Sequence, residues 1–315
     1  MSNIVFISTL DYAQQQSWLQ VFKQHLPNED IQLTEQIDAC KYDEIDIAIV
    51  ANPDPLELAK FPKLIWIQSL WAGVEKLVSE LNSNKISVKL VRLIDPQLTK
   101  TMAESVLAWT LYLQRNMPQY TKQQLAKNWQ QLPCVDSSDL RVSILGTGVL
   151  GTAAIDALKK LDYQVNCWSR SPKSIVHVTN YTGVTGLNKI LQCSDIIINL
   201  LPLTDQTYHL LNYQALSKLP KGAKLINFSR GGVVDTDALL VLLNNGHIEH
   251  AVLDVFDEEP LSKESVIWHH PKITVLPHIS APTNMQTAAN IVAQNIIRYR
   301  ANGVLPKLVD LETGY

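Results

Sequence analysis

Short apolar runs alternate with longer stretches of helical spacing along most of the chain. IVFIS (4–8), IDIAIVA (45–51), LIWIQSL (64–70) and VKLVRLI (88–94) read as buried strands. Between the first two, DYAQQQSWLQVFKQHL (11–26) spaces Trp18, Leu19, Phe22 and Leu26 along one helical face. A second series follows: VSILG (142–146), QVNCWS (164–169), DIIINLL (195–201), AKLINFS (223–229), HAVLDVF (250–256) and ITVLP (273–277). Alternating strand and helix signals predict an α/β fold, with parallel sheets covered by helices on both faces.

Between the two series, residues 101–127 predict one long helix, with Met102, Val106, Trp109 and Leu113 near helical spacing. Such a helix would bridge two domains. The last strong helical stretch, 283–303, comes after the second series has ended. No internal repeat of solenoid period and no low-complexity segment interrupts the pattern.

A length of 315 residues fits about two domains, and 46% hydrophobic against 18% charged residues supports substantial cores. The formal charge of −3, without a long block of Lys or Arg, gives no footprint for nucleic acid or an anionic membrane. Cys40, Cys134, Cys167 and Cys193 are widely spaced with no CxxC pair. That spacing argues against a disulfide framework or a zinc site, so reduced thiols and no metal are expected. MSNIVFISTL lacks the charged region, long apolar core and cleavage site of a leader, and no apolar run reaches membrane-spanning length. A cytoplasmic protein is the expectation.

The first strand of the second series runs into GTGVLG and then TAAIDALKKL, a strand–turn–helix context for a glycine-rich phosphate site. Gly146 permits the tight turn, Gly148 allows close approach of a pyrophosphate, and Gly151 allows close helix packing. The helix start, with Val149 and Leu150, offers unpaired N–H groups to phosphate. About 20 residues on, where a carboxylate would read a ribose 2′-hydroxyl, the chain has Ser169, Arg170 and Ser171, then Lys173. Arg170 suits a 2′-phosphate and Ser169 can donate one more contact, so NADPH is expected to be preferred, with NADH admissible.

Three later strand ends carry polar residues: Arg230 in INFSRGG, Glu259 in DVFDEEPL and His278 in VLPHISA. Ligands of open parallel sheets sit beyond the carboxyl ends of the strands. For a 2-oxo acid, His278 can protonate the developing alkoxide, Glu259 can orient the imidazole, and Arg230 can hold the carboxylate. Taken singly, each has a plainer reading: a structural histidine, a solvated acidic turn beside Asp257 and Glu258, and a loop-holding arginine.

The segments ILGTGVLG, NLLPLTDQTYHLLN, LINFSRGGVVDTDAL, LDVFDEEPL and LPHISAPT, with SLWAGVEKL and MAESVLAWTL upstream, resemble the D-2-hydroxyacid dehydrogenase family. They look most like its glyoxylate/hydroxypyruvate reductase A branch. The resemblance implies two doubly wound, Rossmann-like domains with an interdomain cleft. It sets a discontinuous substrate-binding domain at 1–100 plus 284–315 and a dinucleotide-binding domain at 101–283, with the long helix and the returning terminal helix crossing between them. It implies catalytic roles for Arg230, Glu259 and His278, substrate contacts from the Ala72 and Gly73 backbone, and a pocket wall at Trp71. Leu201 and Pro202 would lie along the cofactor, Asp254 near the nicotinamide end. Homodimers are usual in the family.

The expected reaction is NADPH-linked reduction of small 2-oxo acids, glyoxylate and hydroxypyruvate foremost. Two alternatives stay open: an NAD-linked dehydrogenase of a bulkier D-2-hydroxy acid, and a nucleotide-sensing corepressor-like protein. Trp71 stands where many relatives have glycine, which implies a tighter pocket. Glu259, where formate dehydrogenases have glutamine, argues against that chemistry. After residue 303 there is no room for the regulatory domain often appended to phosphoglycerate dehydrogenases.

Overall fold

The computed structural model describes residues 2–311. In chain order the first elements are β1 (Ser2–Ser8), α1 (Tyr12–His25), β2 (Glu29–Leu33), β3 (Ile45–Ala51), α2 (Pro55–Leu58), β4 (Trp66–Ser69), α3 (Glu75–Ser83) and β5 (Lys89–Val91). Two helices follow, α4 (Pro96–Gln114) and α5 (Met117–Leu125), then β6 (Arg141–Leu145), α6 (Val149–Lys159), β7 (Gln164–Ser169) and β8 (Thr179–Thr182). Next come α7 (Gly183–Gln192), β9 (Ile196–Asn199), α8 (Tyr213–Leu216), β10 (Ala223–Asn227), α9 (Thr236–Asn244), β11 (Ile248–Leu253), β12 (Ile273–Val275) and α10 (Met285–Asn302).

The chain divides into two compact units. The first comprises residues 1–98 with 283–315, the second residues 99–282. The first unit is built on a parallel sheet of order β2-β1-β3-β4-β5. Helices α1 and α10 cover one face, where Trp18, Phe22, Ala289, Val292 and Ile296 bury against Ile4, Phe6 and Trp66. The opposite face buries Leu77, Val78 and Leu81 of α3 against Val5, Ala48 and Ile67. Polar signals set the helix ends. Asp11 accepts from Gln14 N while the Gln14 side chain accepts from Asp11 N, a reciprocal cap that starts α1. Asn284 caps α10, and Gly303 at φ 68° ends it. Arg300 of α10 is bound by both Asp46 and Glu29, which ties the helix to the start of β3 and to β2.

The second unit has a seven-stranded parallel sheet of order β12-β11-β10-β9-β6-β7-β8. The chain runs from β6 outward through β7 and β8, then returns to the other side of β6 at β9. The strand order therefore reverses between β6 and β9, the position where open sheets of this kind bind ligands. Helices α4 and α6 pack on one face through Met102, Val106, Ala154 and Ile155, while α7 and α9 pack on the other through Leu187, Ile190, Leu239 and Leu242. At the lower edge Asp195 holds Arg141 by a two-pronged pair of 2.9 and 2.6 Å, and the arginine keeps that carboxylate below its usual range despite partial burial.

One expectation is corrected. Residues 101–127 do not form a single helix, because Asn116 sits in the left-handed region (φ 55°) and separates α4 from α5. Pro118 in the first turn of α5 lacks an N–H, which suits a new helix start and not an interior.

Candidate active site

The glycine-rich turn lies at the top of β6, beside the reversal point. Gly148 is the N-cap of α6, with no side-chain acceptor at the cap. The first intrahelical bond runs from Thr152 N to Gly148 O at 2.9 Å, so the amides of Val149, Leu150 and Gly151 precede it. A Cβ on Gly151 would lie 1.9 Å from Gly146 O, so only glycine lets the helix meet the turn this closely. A Cβ on Gly148 would meet nothing within 4 Å. The neighbouring Thr147 Oγ1 is buried and makes no hydrogen bond. Open space above glycine, unpartnered helix-start amides and a buried hydroxyl without a partner fit a dinucleotide pyrophosphate.

At the top of β7 the chain turns through Ser169, Arg170, Ser171 and Lys173. Arg170, Ser171 and Lys173 are exposed, and Lys173 Nζ donates back to Thr147 O in the glycine-rich turn. Ser169 is 6% exposed and its hydroxyl donates to Ser171 O at 2.8 Å, so it braces the turn from inside. Asn180 of β8, which carries no sequence signal of its own, bonds both Ser169 and Lys173.

Leu201 is buried and Pro202 half-buried after β9, held by polar side chains at the ends of β9 and β10. Asn199 Oδ1 accepts from Leu201 N (3.2 Å), Asn199 Nδ2 donates to Asn227 Oδ1 (2.9 Å), and Ser229 Oγ donates to Leu201 O. Asn227 Nδ2 also donates to Arg230 O (3.1 Å), and Arg230 NH1 donates to Ser229 O (2.6 Å). These buried asparagines, invisible to periodicity, fix the backbone from which Arg230 projects. The next residue, Gly231, packs so closely that a Cβ there would lie 2.0 Å from the Phe256 carbonyl carbon. The Arg230 turn therefore abuts the segment that carries Glu259.

His278 Nδ1 and Glu259 Oε2 are 2.7 Å apart, and Glu259 Oε1 accepts from Phe256 N at 2.9 Å. A carboxylate that accepts from the ring fixes a proton on Nδ1 and leaves Nε2 outside the pair. The His278 backbone is in the left-handed region (φ 55°), a conformation that needs support. Asp254 supplies it: this carboxylate, 2% exposed, accepts from Ile279 N (2.7 Å), Ser280 N (2.9 Å) and the Ser280 hydroxyl. His278 N donates to Asp254 O at 3.0 Å. Asp254 is thus committed to the turn beneath the histidine.

In the first unit, Trp71, Ala72 and Gly73 follow β4. Trp71 N donates to Ser69 Oγ (3.0 Å) and its indole N–H to Asn52 Oδ1 (3.0 Å), while Arg92 NH1 donates to Ala72 O (3.3 Å). Asn52 and Arg92 are supports that the sequence pattern did not reveal. Among the described residues no cluster of His, Cys, Asp or Glu forms a metal site, and no helix is long and apolar enough to cross a membrane.

A family model described as the NAD-binding domain of D-isomer specific 2-hydroxyacid dehydrogenases matches residues 107–280, more than half of the chain. The chain belongs to this family. It is accordingly an NAD(P)-dependent oxidoreductase of the D-2-hydroxyacid dehydrogenases. Among solved structures, a member from Xanthobacter autotrophicus Py2 in complex with NADPH and MES is 34% identical, with a TM-score of 0.91 over 100% of this chain and 99% of that one. An NADPH-dependent glyoxylate/hydroxypyruvate reductase from Sinorhizobium meliloti, in complex with NADP and sulfate, is 29% identical with a TM-score of 0.90 over 100% of both chains. A D-lactate dehydrogenase from Aquifex aeolicus, complexed with NAD and lactic acid, shares the fold at 19% identity, with a TM-score of 0.76 over 96% of both chains.

Proposed function

We propose that this dehydrogenase is an NADPH-preferring reductase of small 2-oxo acids, turning glyoxylate into glycolate and hydroxypyruvate into D-glycerate. The observation that carries the reading is the 2.7 Å Glu259–His278 pair, which leaves Nε2 of a charged imidazole to give up a proton. Bound NADPH supplies the hydride to the carbonyl carbon. His278 delivers the proton to the oxygen, Glu259 stabilises the imidazolium and holds the ring, and Arg230 binds the substrate carboxylate and polarises the carbonyl. Ala72 and Gly73 offer backbone N–H groups to the carboxylate, and Trp71 limits the size of the substrate side chain.

The amides of Val149, Leu150 and Gly151 take the pyrophosphate. Arg170 and Lys173 take the 2′-phosphate, supported by the NADPH and NADP bound to the Xanthobacter and Sinorhizobium relatives. In this reading residues 1–100 with 284–315 serve the substrate and 101–283 the dinucleotide, in a cytoplasmic homodimer. Initial rates of NADPH and NADH oxidation with each oxo acid test it. Strong NADPH preference that collapses in Arg170→Ala supports the cofactor assignment. A folded His278→Gln enzyme with near-wild-type turnover overturns the proton donor.

A further inference from the structure

Asn180 stands on the edge strand β8, opposite Cys167 of β7, and its amide is used at both ends. Its Oδ1 accepts from Lys173 N at 2.8 Å. Its Nδ2 donates to Ser169 Oγ at 2.9 Å and lies 3.3 Å from Cys167 Sγ. Ser169 passes its own proton on to Ser171 O at 2.8 Å. One side chain therefore joins the last residue of β7, the middle of the turn and the backbone of Lys173. Arg170 lies inside the closed loop, and the Lys173 side chain is carried back to Thr147 O of the glycine-rich turn. Serine or alanine at 180 would not span these groups, and aspartate would lose the donor and add a negative charge.

We propose that Asn180 is the positioning residue that sets the preference for a 2′-phosphorylated dinucleotide, by holding the Ser169–Lys173 turn in the one shape that presents Arg170 and Lys173 together. The inference rests on the NADPH reading above. Flexible cations still attract a phosphate, but they must be ordered on binding, and that cost falls on the phosphorylated cofactor alone. NADH makes no demand on the turn. The effect is thus a KM effect for one cofactor, without change in the hydride step.

The test is KM and kcat for NADPH and NADH in the wild-type enzyme, Asn180→Ala and Asn180→Asp, with melting temperatures for all three. Asn180→Ala should raise KM for NADPH about tenfold, the loss of two or three hydrogen bonds only partly expressed in binding. KM for NADH and both kcat values should stay within about twofold. Asn180→Asp should raise KM for NADPH further, because it keeps the Lys173 amide contact yet repels the phosphate. If both cofactors weaken together, Asn180 merely braces β8 and the proposal is overturned. It is equally overturned if both variants keep the wild-type preference. A wild-type enzyme that treats NADPH and NADH alike overturns the cofactor reading, and this inference with it.

Discussion

Two alanine substitutions in the glycine-rich turn separate what the fold needs from what the ligand needs. Gly151→Ala sets a methyl carbon 1.9 Å from Gly146 O and 2.9 Å from its carbonyl carbon. Ordinary contact needs about 3.5 Å, so one backbone must retreat by about 1.5 Å. No rotamer can relieve a clash between a Cβ and a carbonyl, which puts the cost near the top of the overpacking range, about 3 kcal/mol. For a protein of this size that is a fall of about 5 °C in melting temperature. Gly148→Ala meets nothing within 4 Å and keeps its extended backbone at φ −70°, so the unliganded protein loses only the N-cap preference, about 0.5–1 kcal/mol. Its methyl group instead fills the space above the α6 amides, and NADPH affinity should fall at least tenfold, about 1.4 kcal/mol. Thermal melts with and without NADPH, and fluorescence titration of NADPH, read both effects. Gly148→Ala protein that binds NADPH like wild type would refute the placement of the pyrophosphate at this turn. Gly151→Ala protein that melts like wild type would refute the packing argument.

Glu259→Gln leaves one oxygen to serve either Phe256 N or His278 Nδ1, and kcat for reduction should drop about 100-fold or more with little change in melting temperature; undiminished kcat would remove the carboxylate from the mechanism. Asp254→Asn turns an N–H toward the Ser280 amide, so a loss of about 1–3 kcal/mol in urea melts should accompany a lower kcat. Wild-type stability and kcat together would show that the His278 turn does not depend on this carboxylate. His250 is buried against Thr274, and burial beside Lys122 and Lys224 lowers its pKa to about 4. The unfolded chain takes up that proton near pH 6.5 and the folded one does not, so its contribution is complete above 6.5 and declines as pH falls toward 4, by about 3 kcal/mol at most. Urea melts of wild type and His250→Gln across pH 4–7 check this: the variant should lose that part of the slope, and parallel curves would contradict it.

The strands legible in the sequence are those that carry an apolar run. β3 is IDIAIVA with six of its seven positions buried, and its bounds coincide with the apolar run. β2 (EDIQL) and β8 (TNYT) escape notice because their residues are mostly polar, which an edge position tolerates, whereas the edge strands β5 and β12 lie in apolar runs and are legible. The break at Asn116 is hidden because helical spacing continues on both sides of a single left-handed residue. At the site, glycine spacing and the polar strand ends Arg230, Glu259 and His278 stand out by chemistry. Their supports do not. Asn52, Arg92, Asn180, Asn199 and Asn227 act through partners elsewhere in the chain, and an asparagine that bridges two loops looks like any other until the loops are side by side.

Synthesis from the N-terminus meets a particular order of completion. The sheet of the first unit emerges early, yet the face that buries Ile4, Phe6 and Trp66 lacks Ala289, Val292 and Ile296 until α10 has been made. The whole of residues 99–282 is translated in between, with its own sheet and both of its helical layers. The dinucleotide-binding half can therefore fold on the ribosome while the first half waits, its apolar face open to chaperones and proteases. Arrest or truncation before α10 should leave a nascent chain that is native in its later part and exposed in its earlier one.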